Sequence, residues 1–222
     1  MSDVELRVSD DPARACAELL AAASGHIVLT GGTTPGRAYE LAAELRDDWS
    51  GVELWWGDDR CVPPEHEWSN YGLARRTLLE RVRTQPSVVH RIQGELGAAP
   101  AADLYDEELR GVVPDVTLLG LGPDGHVASL YPHAPGLAER ERRAIAAEAR
   151  LEPYVERVTM TIPVLESAAL VVFLLEGEAK AAAAARAFGA PASEAIPGSL
   201  VRSRHGETIV LLDPPAARDL GI

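Results

Sequence analysis

Short apolar, β-branched runs separated by helical stretches recur nearly from end to end of this 222-residue chain, and that alternation limits its fold more than any other feature. The strand candidates are His26 to Thr30, Val52 to Trp56, Asp115 to Gly120, Val158 to Ile162, Leu170 to Leu175 and Thr208 to Leu212. The first predicted helix opens on Asp11-Pro12, an N-cap with proline at the first helical position, and closes at Gly25. Others run from the turn at Gly31 to Gly36 through about Arg46, from about Asn70 to Val82, through the Ala-rich stretch before Asp115, and from Glu178 to Phe188. Strands apolar on both faces and spaced by helices suit a mostly parallel sheet covered on both sides. The expected fold is therefore α/β, one doubly wound domain over residues 1–222. Ligands in such sheets bind beyond the carboxyl ends of the strands, which is where three polar loops fall.

Composition removes several classes of function. Hydrophobic residues at 46% against 25% charged give a globular rather than a disordered balance. The longest apolar run, Ala168 to Leu175, is far shorter than a membrane span. The acidic start has no apolar segment of the kind a secretory signal needs. Cys16 and Cys61 are too few for a disulfide framework, and Cys16 falls on the apolar face of its helix as a small core residue. A cytoplasmic location is the expectation, with the protein a monomer or a small homo-oligomer. The net charge of −13, without a basic stripe, repels nucleic acid and anionic lipid, so neither is an expected partner. An anionic ligand would have to be recognised locally, by a few cations and backbone N–H groups.

The three loops differ in specificity. Gly31-Gly32-Thr33-Thr34-Pro35-Gly36 lies between a strand and a helix, where glycines allow close approach to an anion and helix-start N–H groups point at it. It matches neither a P-loop nor G-x-G-x-x-G, and a tight turn with Thr34 as helix cap explains it equally well. The second loop, Gly57 to Ser69, carries Asp58-Asp59-Arg60. Arg60 suits bidentate binding of phosphate or carboxylate, and also a local ion pair with Asp58 or Asp59. Ser69 or Asn70 suits the cap of the next helix, and Trp55 and Trp56 suit the sheet core. The third loop, Gly120-Leu121-Gly122-Pro123-Asp124-Gly125-His126, places an Asp-x-His pair on a constrained turn at a strand end. A histidine there can move protons near neutral pH while the carboxylate sets its tautomer, and a capping or core histidine explains the turn equally well. Metal ligation by Asp124 and His126, with His133 or Cys61, lacks recognisable ligand spacing, so no metal site is expected. His26, His66, His90 and His205 carry no motif.

Together, LTGGTTPG from Leu29, WWGDDRCVPPEHEWSN from Trp55, LGLGPDGHVASLYP from Leu119 and RVTMTIPVLESAALVVFLLEGEAKA from Arg157 resemble the 6-phosphogluconolactonase family. The first and third segments are shared with the wider sugar-phosphate isomerase and deaminase group; the SLYP ending, Asn70 and the last segment favour the lactonase. The resemblance implies a Rossmann-like domain that hydrolyses a phosphorylated sugar lactone in the oxidative pentose phosphate pathway, with neither cofactor nor metal. It also implies His126 as acid/base with Asp124 as partner, and Gly31, Gly32, Thr33, Thr34, Arg60, Asn70, Arg157 and Lys180 around the substrate and its phosphate. Asp59 replaces the usual glutamate, shortening a carboxylate expected to position Arg60, and Val127 replaces a frequent threonine. A glucosamine-6-phosphate deaminase-like isomerase and a non-catalytic sugar-phosphate module are the alternatives.

Overall fold

The computed structural model describes residues 4–221. Seven parallel strands form the main sheet: β1 (Val4–Val8), β2 (Gly25–Leu29), β3 (Val52–Trp56), β5 (Val88–Val89), β6 (Val116–Leu119), β9 (Leu170–Leu175) and β10 (Glu207–Leu212). Their order across the sheet is β1-β10-β9-β6-β2-β3-β5. Helix α1 (Pro12–Ala22) joins β1 to β2, and α2 (Thr33–Leu45) joins β2 to β3; both connections step across the sheet in the same direction. Those from β5 through α4 (Ala98–Glu108) to β6, and from β9 through α6 (Ala181–Phe188) to β10, step the opposite way. Right-handed crossovers therefore put α1 and α2, which pack together, on one face and α4 and α6 on the other. The direction reverses between β6 and β2, so the crevice of the fold opens where the turns after these two strands meet.

The expected doubly wound α/β architecture is present, with one addition. A three-stranded antiparallel sheet, β4 (Asp58–Arg60), β8 (Arg157–Met160) and β7 (Ala144–Ala147), lies against α4. The run at Val158 is thus a strand of this second sheet, and the polar loop after Trp56 contains β4. Gly57 joins the two sheets: its N–H donates to Leu29 O at 2.9 Å and its carbonyl accepts from Met160 N at 2.8 Å. Strand β4 pairs with β8 so that Arg60 stands directly opposite Arg157.

Local chemistry explains most boundaries. Asp11 caps α1 by accepting from Arg14 N at 3.0 Å, with Pro12 at the first helical position. Gly25 does not close that helix, which ends at Ala22; it opens β2 with φ +75°, and a Cβ there would lie 2.1 Å from Asp115 Oδ2. That carboxylate instead accepts from His26 N at 2.8 Å. Ser69 caps α3 (Asn70–Ala74) by accepting from Gly72 N at 3.0 Å, and a π-helical turn at Arg75–Leu79 extends the helix.

The core runs along the main sheet. Trp55, Trp56, Phe173 and Leu174 are buried, and burying such side chains contributes roughly 1.5–3 kcal/mol each. Trp55 stacks on His90 with ring centroids 3.7 Å apart and donates to His26 Nδ1 at 3.2 Å, which gives these two histidines a structural setting. Cys16 is fully buried, and burial pushes its thiol up to about 12; both it and Cys61 are free thiols.

Candidate active site

The turn after β2 offers backbone to the crevice. Gly32, at φ +115°, precedes α2 without any side-chain cap, so Thr34 is the second helical residue and not the cap. The first N–H groups of a helix have no partner within it, and the positive end of the helix dipole lies there. Gly31 is held against Asn70 so closely that a Cβ would sit 2.0 Å from Asn70 Oδ1. Any larger residue would push the two apart.

Asn70 organises the second loop. Its Nδ2 donates to Asp58 O at 2.8 Å and to Asp58 Oδ1 at 3.2 Å, while its Oδ1 accepts from Arg60 Nη1 at 3.0 Å. Arg60 Nη1 also donates to Trp68 O at 2.7 Å, and neither aspartate forms an ion pair with the guanidinium among the described residues. Asp59 does not hold the Arg60 side chain. Its carboxylate accepts from the N–H groups of Arg60, Asn70 and Tyr71 and from the Ser69 hydroxyl, so it ties down the start of α3. Burial pushes that carboxyl up to about 6, against the pull of the three backbone N–H groups. Arg60 is therefore aimed through Asn70, with Asp59 one step further back.

The turn after β6 presents a side chain. Gly122 N donates to His126 O and Gly125 N to Gly122 O, both at 2.9 Å, closing the turn on itself. His126 Nδ1 lies 2.6 Å from Asp124 Oδ1, which also accepts from His126 N at 3.1 Å. Burial opposes the Asp124 charge, but the His126 backbone N–H and imidazole outweigh it and hold the carboxyl below its usual range. Ionised Asp124 makes Nδ1 the protonated nitrogen of a neutral ring and leaves Nε2 as the proton acceptor. At Gly122 a Cβ would lie 2.0 Å from His126 Nδ1, so the ring can occupy this position only over a glycine.

A pocket of about 260 Å³ at the crevice is lined by Gly31, Gly32, Arg60, Asn70, His126, Arg157 and Lys180 among others. Seven of the ten residues singled out in the sequence thus converge. Asp124 stands behind His126. Thr33 is exposed on an adjoining cleft that shares Gly32 and Arg60, and Thr34 borders neither space. Arg157 is only 4% exposed and donates to the carbonyls of Leu151 and Pro153 at 3.3 and 3.4 Å. Lys180 Nζ donates to Leu121 O at 2.7 Å, and burial lowers its ammonium below the usual lysine range. Asp58, read from the sequence only as an ion-pair partner for Arg60, lines the pocket, and Ser129 Oγ donates to Asp58 Oδ2 at 2.6 Å. Asp58 follows the apolar run Val52 to Trp56, but its place in the pocket emerges only from the pairing of β4 with β8. Among the described residues no three His, Cys, Asp or Glu side chains gather to hold a metal ion. No helix among them is long and apolar enough to cross a membrane.

The family model for glucosamine-6-phosphate isomerases and 6-phosphogluconolactonase matches residues 2–210. The chain is 38% identical over 216 residues to a 6-phosphogluconolactonase of Streptomyces coelicolor, covering 89% of this chain and 82% of that one. To that of Haemophilus influenzae it is 33% identical over 202 residues, covering 87% and 86%. This chain belongs to the 6-phosphogluconolactonase family. The 6-phosphogluconolactonase structure from Thermotoga maritima superposes with a TM-score of 0.82 at 25% identity, over 96% of this chain and 100% of that one. A monomeric glucosamine-6-phosphate deaminase superposes at 0.80 with 19% identity, covering 98% and 99%, and shares the fold.

Proposed function

We propose that this family member hydrolyses 6-phospho-D-glucono-1,5-lactone to 6-phospho-D-gluconate, with His126 as general acid and base. The observation that carries the reading is the 2.6 Å contact of Asp124 on His126 Nδ1, at the edge of a pocket walled by three cations. Nε2 takes a proton from water as the water oxygen bonds to the lactone carbonyl carbon. Collapse of the tetrahedral intermediate breaks the bond from that carbon to the ring oxygen, and Nε2 returns the proton to the departing oxygen. Asp124 holds the tautomer and stabilises the imidazolium between the two transfers. The N–H groups of Gly122 and Gly125 are committed within the turn, so they do not serve as oxyanion donors; stabilising the developing charge falls to the cations of the pocket.

The phosphate is assigned to the Gly31–Gly32 backbone and the start of α2, with Arg60 beside them. Asn70 links these elements, since its Oδ1 both accepts from Arg60 and rests on Gly31. Such local recognition suits a chain of net charge −13, whose overall field opposes an anion. The test is to add purified protein to freshly generated 6-phosphogluconolactone and follow 6-phosphogluconate above the spontaneous rate. Glucosamine 6-phosphate serves as the comparison substrate. Catalysed lactone opening without ammonia release supports the reading. Ammonia release, or saturable binding with no turnover of the lactone, would replace it with the isomerase or the binding module.

A further inference from the structure

Tyr131 is the one aromatic ring in contact with His126 among the described residues, with centroids 4.9 Å apart and planes at 43°. It is 2% exposed, and its hydroxyl is buried without a hydrogen bond of good geometry, although Ser129 lies alongside. A buried hydroxyl left unpaired costs free energy, so the hydroxyl does not account for a tyrosine here. The ring does. It packs at a tilt on the imidazole whose Nδ1 meets Asp124, and its centroid is within the roughly 6 Å over which an aromatic ring attracts a cation.

We propose that Tyr131 is a positioning residue that stabilises the protonated state of His126 through its ring and not its hydroxyl. The inference rests on His126 being the acid/base. The charged groups facing this imidazole are Asp124 on its own turn, Lys180 ahead of α6, Asp58 and Arg60 on β4, and Arg157 on β8. Asp124 and Asp58 favour the imidazolium, and the three cations oppose it. The aromatic ring supplies attraction without adding a carboxylate that would repel an anionic substrate.

The sign follows. If the ring favours the cation, its removal leaves the neutral imidazole relatively more stable, so the rising limb of kcat/KM against pH moves to lower pH. The plateau falls as well, because the imidazolium formed during turnover loses the same support. A cation over an aromatic face corresponds to about 2- to 30-fold on the plateau and about 0.4 to 1.5 pH units on the limb. Three variants are assayed with the spontaneous rate subtracted: Tyr131→Phe, Tyr131→Leu, and pentafluorophenylalanine at position 131. Pentafluorophenylalanine keeps the shape of phenylalanine but reverses the charge distribution over the ring face, so the test survives if Tyr131→Leu does not fold. Tyr131→Phe is expected to match the parent in limb and plateau, while the fluorinated ring shifts both. A limb unmoved by the fluorinated ring, or a Tyr131→Phe limb displaced as far, overturns the proposal. His126→Ala separates this failure from that of the function: if His126→Ala retains activity, the acid/base assignment itself is wrong.

Discussion

The two glycine turns that meet at the crevice use one device for opposite ends. In each, the space where a Cβ would stand is filled 2.0 Å away by a polar side-chain atom: Asn70 Oδ1 at Gly31 and His126 Nδ1 at Gly122. At Gly31 the approaching side chain comes from another element and points the cation of Arg60, while the turn offers the pocket only backbone. At Gly122 the side chain belongs to the same turn, which folds back to carry a single imidazole. In the proposed roles, the missing methyl group of the first turn makes room for a binding surface and that of the second for a reactive group. Kinetic constants should separate the two.

The largest effect is expected at the second turn. His126→Ala should lower kcat roughly 100- to 10,000-fold with the far-ultraviolet circular dichroism unchanged, and near-parental turnover by a clean preparation would remove the assignment. Gly122→Ala should approach the same loss, because the new methyl evicts the ring from its place beside Asp124; Asp124→Asn should lower kcat while KM changes little. An unchanged kcat for Asp124→Asn would reduce Asp124 to a turn residue. At the first turn the loss should fall on recognition. Arg60→Ala, by deleting a charge-assisted contact, should lower kcat/KM for the 6-phospho lactone about 10- to 100-fold and leave unphosphorylated gluconolactone nearly as before. Gly31→Ala should resemble it by displacing Asn70, and equal losses on both lactones would erase the distinction between the turns. The smallest effect is expected from exhaustive chelation, since Nδ1 of His126 is committed to Asp124 and no ligand cluster surrounds it among the described residues. Activity lost on chelation and restored by one divalent metal would make Asp124 and His126 ligands.

The parallel sheet and both glycine turns were legible because each strand is an apolar run and each turn a glycine cluster. What escaped lacks such local signals. Strand β1 reads VELRV, with polar residues at alternate positions, because it pairs on one side only, with β10. Strand β7 reads AIAA, a helix-like composition made extended by pairing with β8, and β4 consists of Asp58, Asp59 and Arg60 without an apolar residue. These short strands owe their form to partners distant in sequence: Arg60 pairs with Arg157, and Ala144 with Met160. The same distance hid the roles of Asp58 and Asp59, adjacent carboxylates of which one lines the pocket and the other anchors a helix. Tyr131 was visible within SLYP, but its contact with His126 follows from how the loop returns on itself.

The register of β4 on β8 has a consequence beyond recognition. Two arginines stand across from one another on β4 and β8, both line the pocket, and among the described residues neither has a carboxylate in ion-pair contact. Like charges placed directly opposite on neighbouring strands weaken their pairing. An anion bound in the pocket as proposed would relieve that repulsion, so part of its binding energy would be retained as resistance to unfolding of the small sheet. Ligand occupancy and thermal tolerance are then linked by mass action, with free energy growing as the logarithm of anion concentration once sites are full. Phosphate or sulfate in a storage buffer would protect this protein for the same reason that substrate is held.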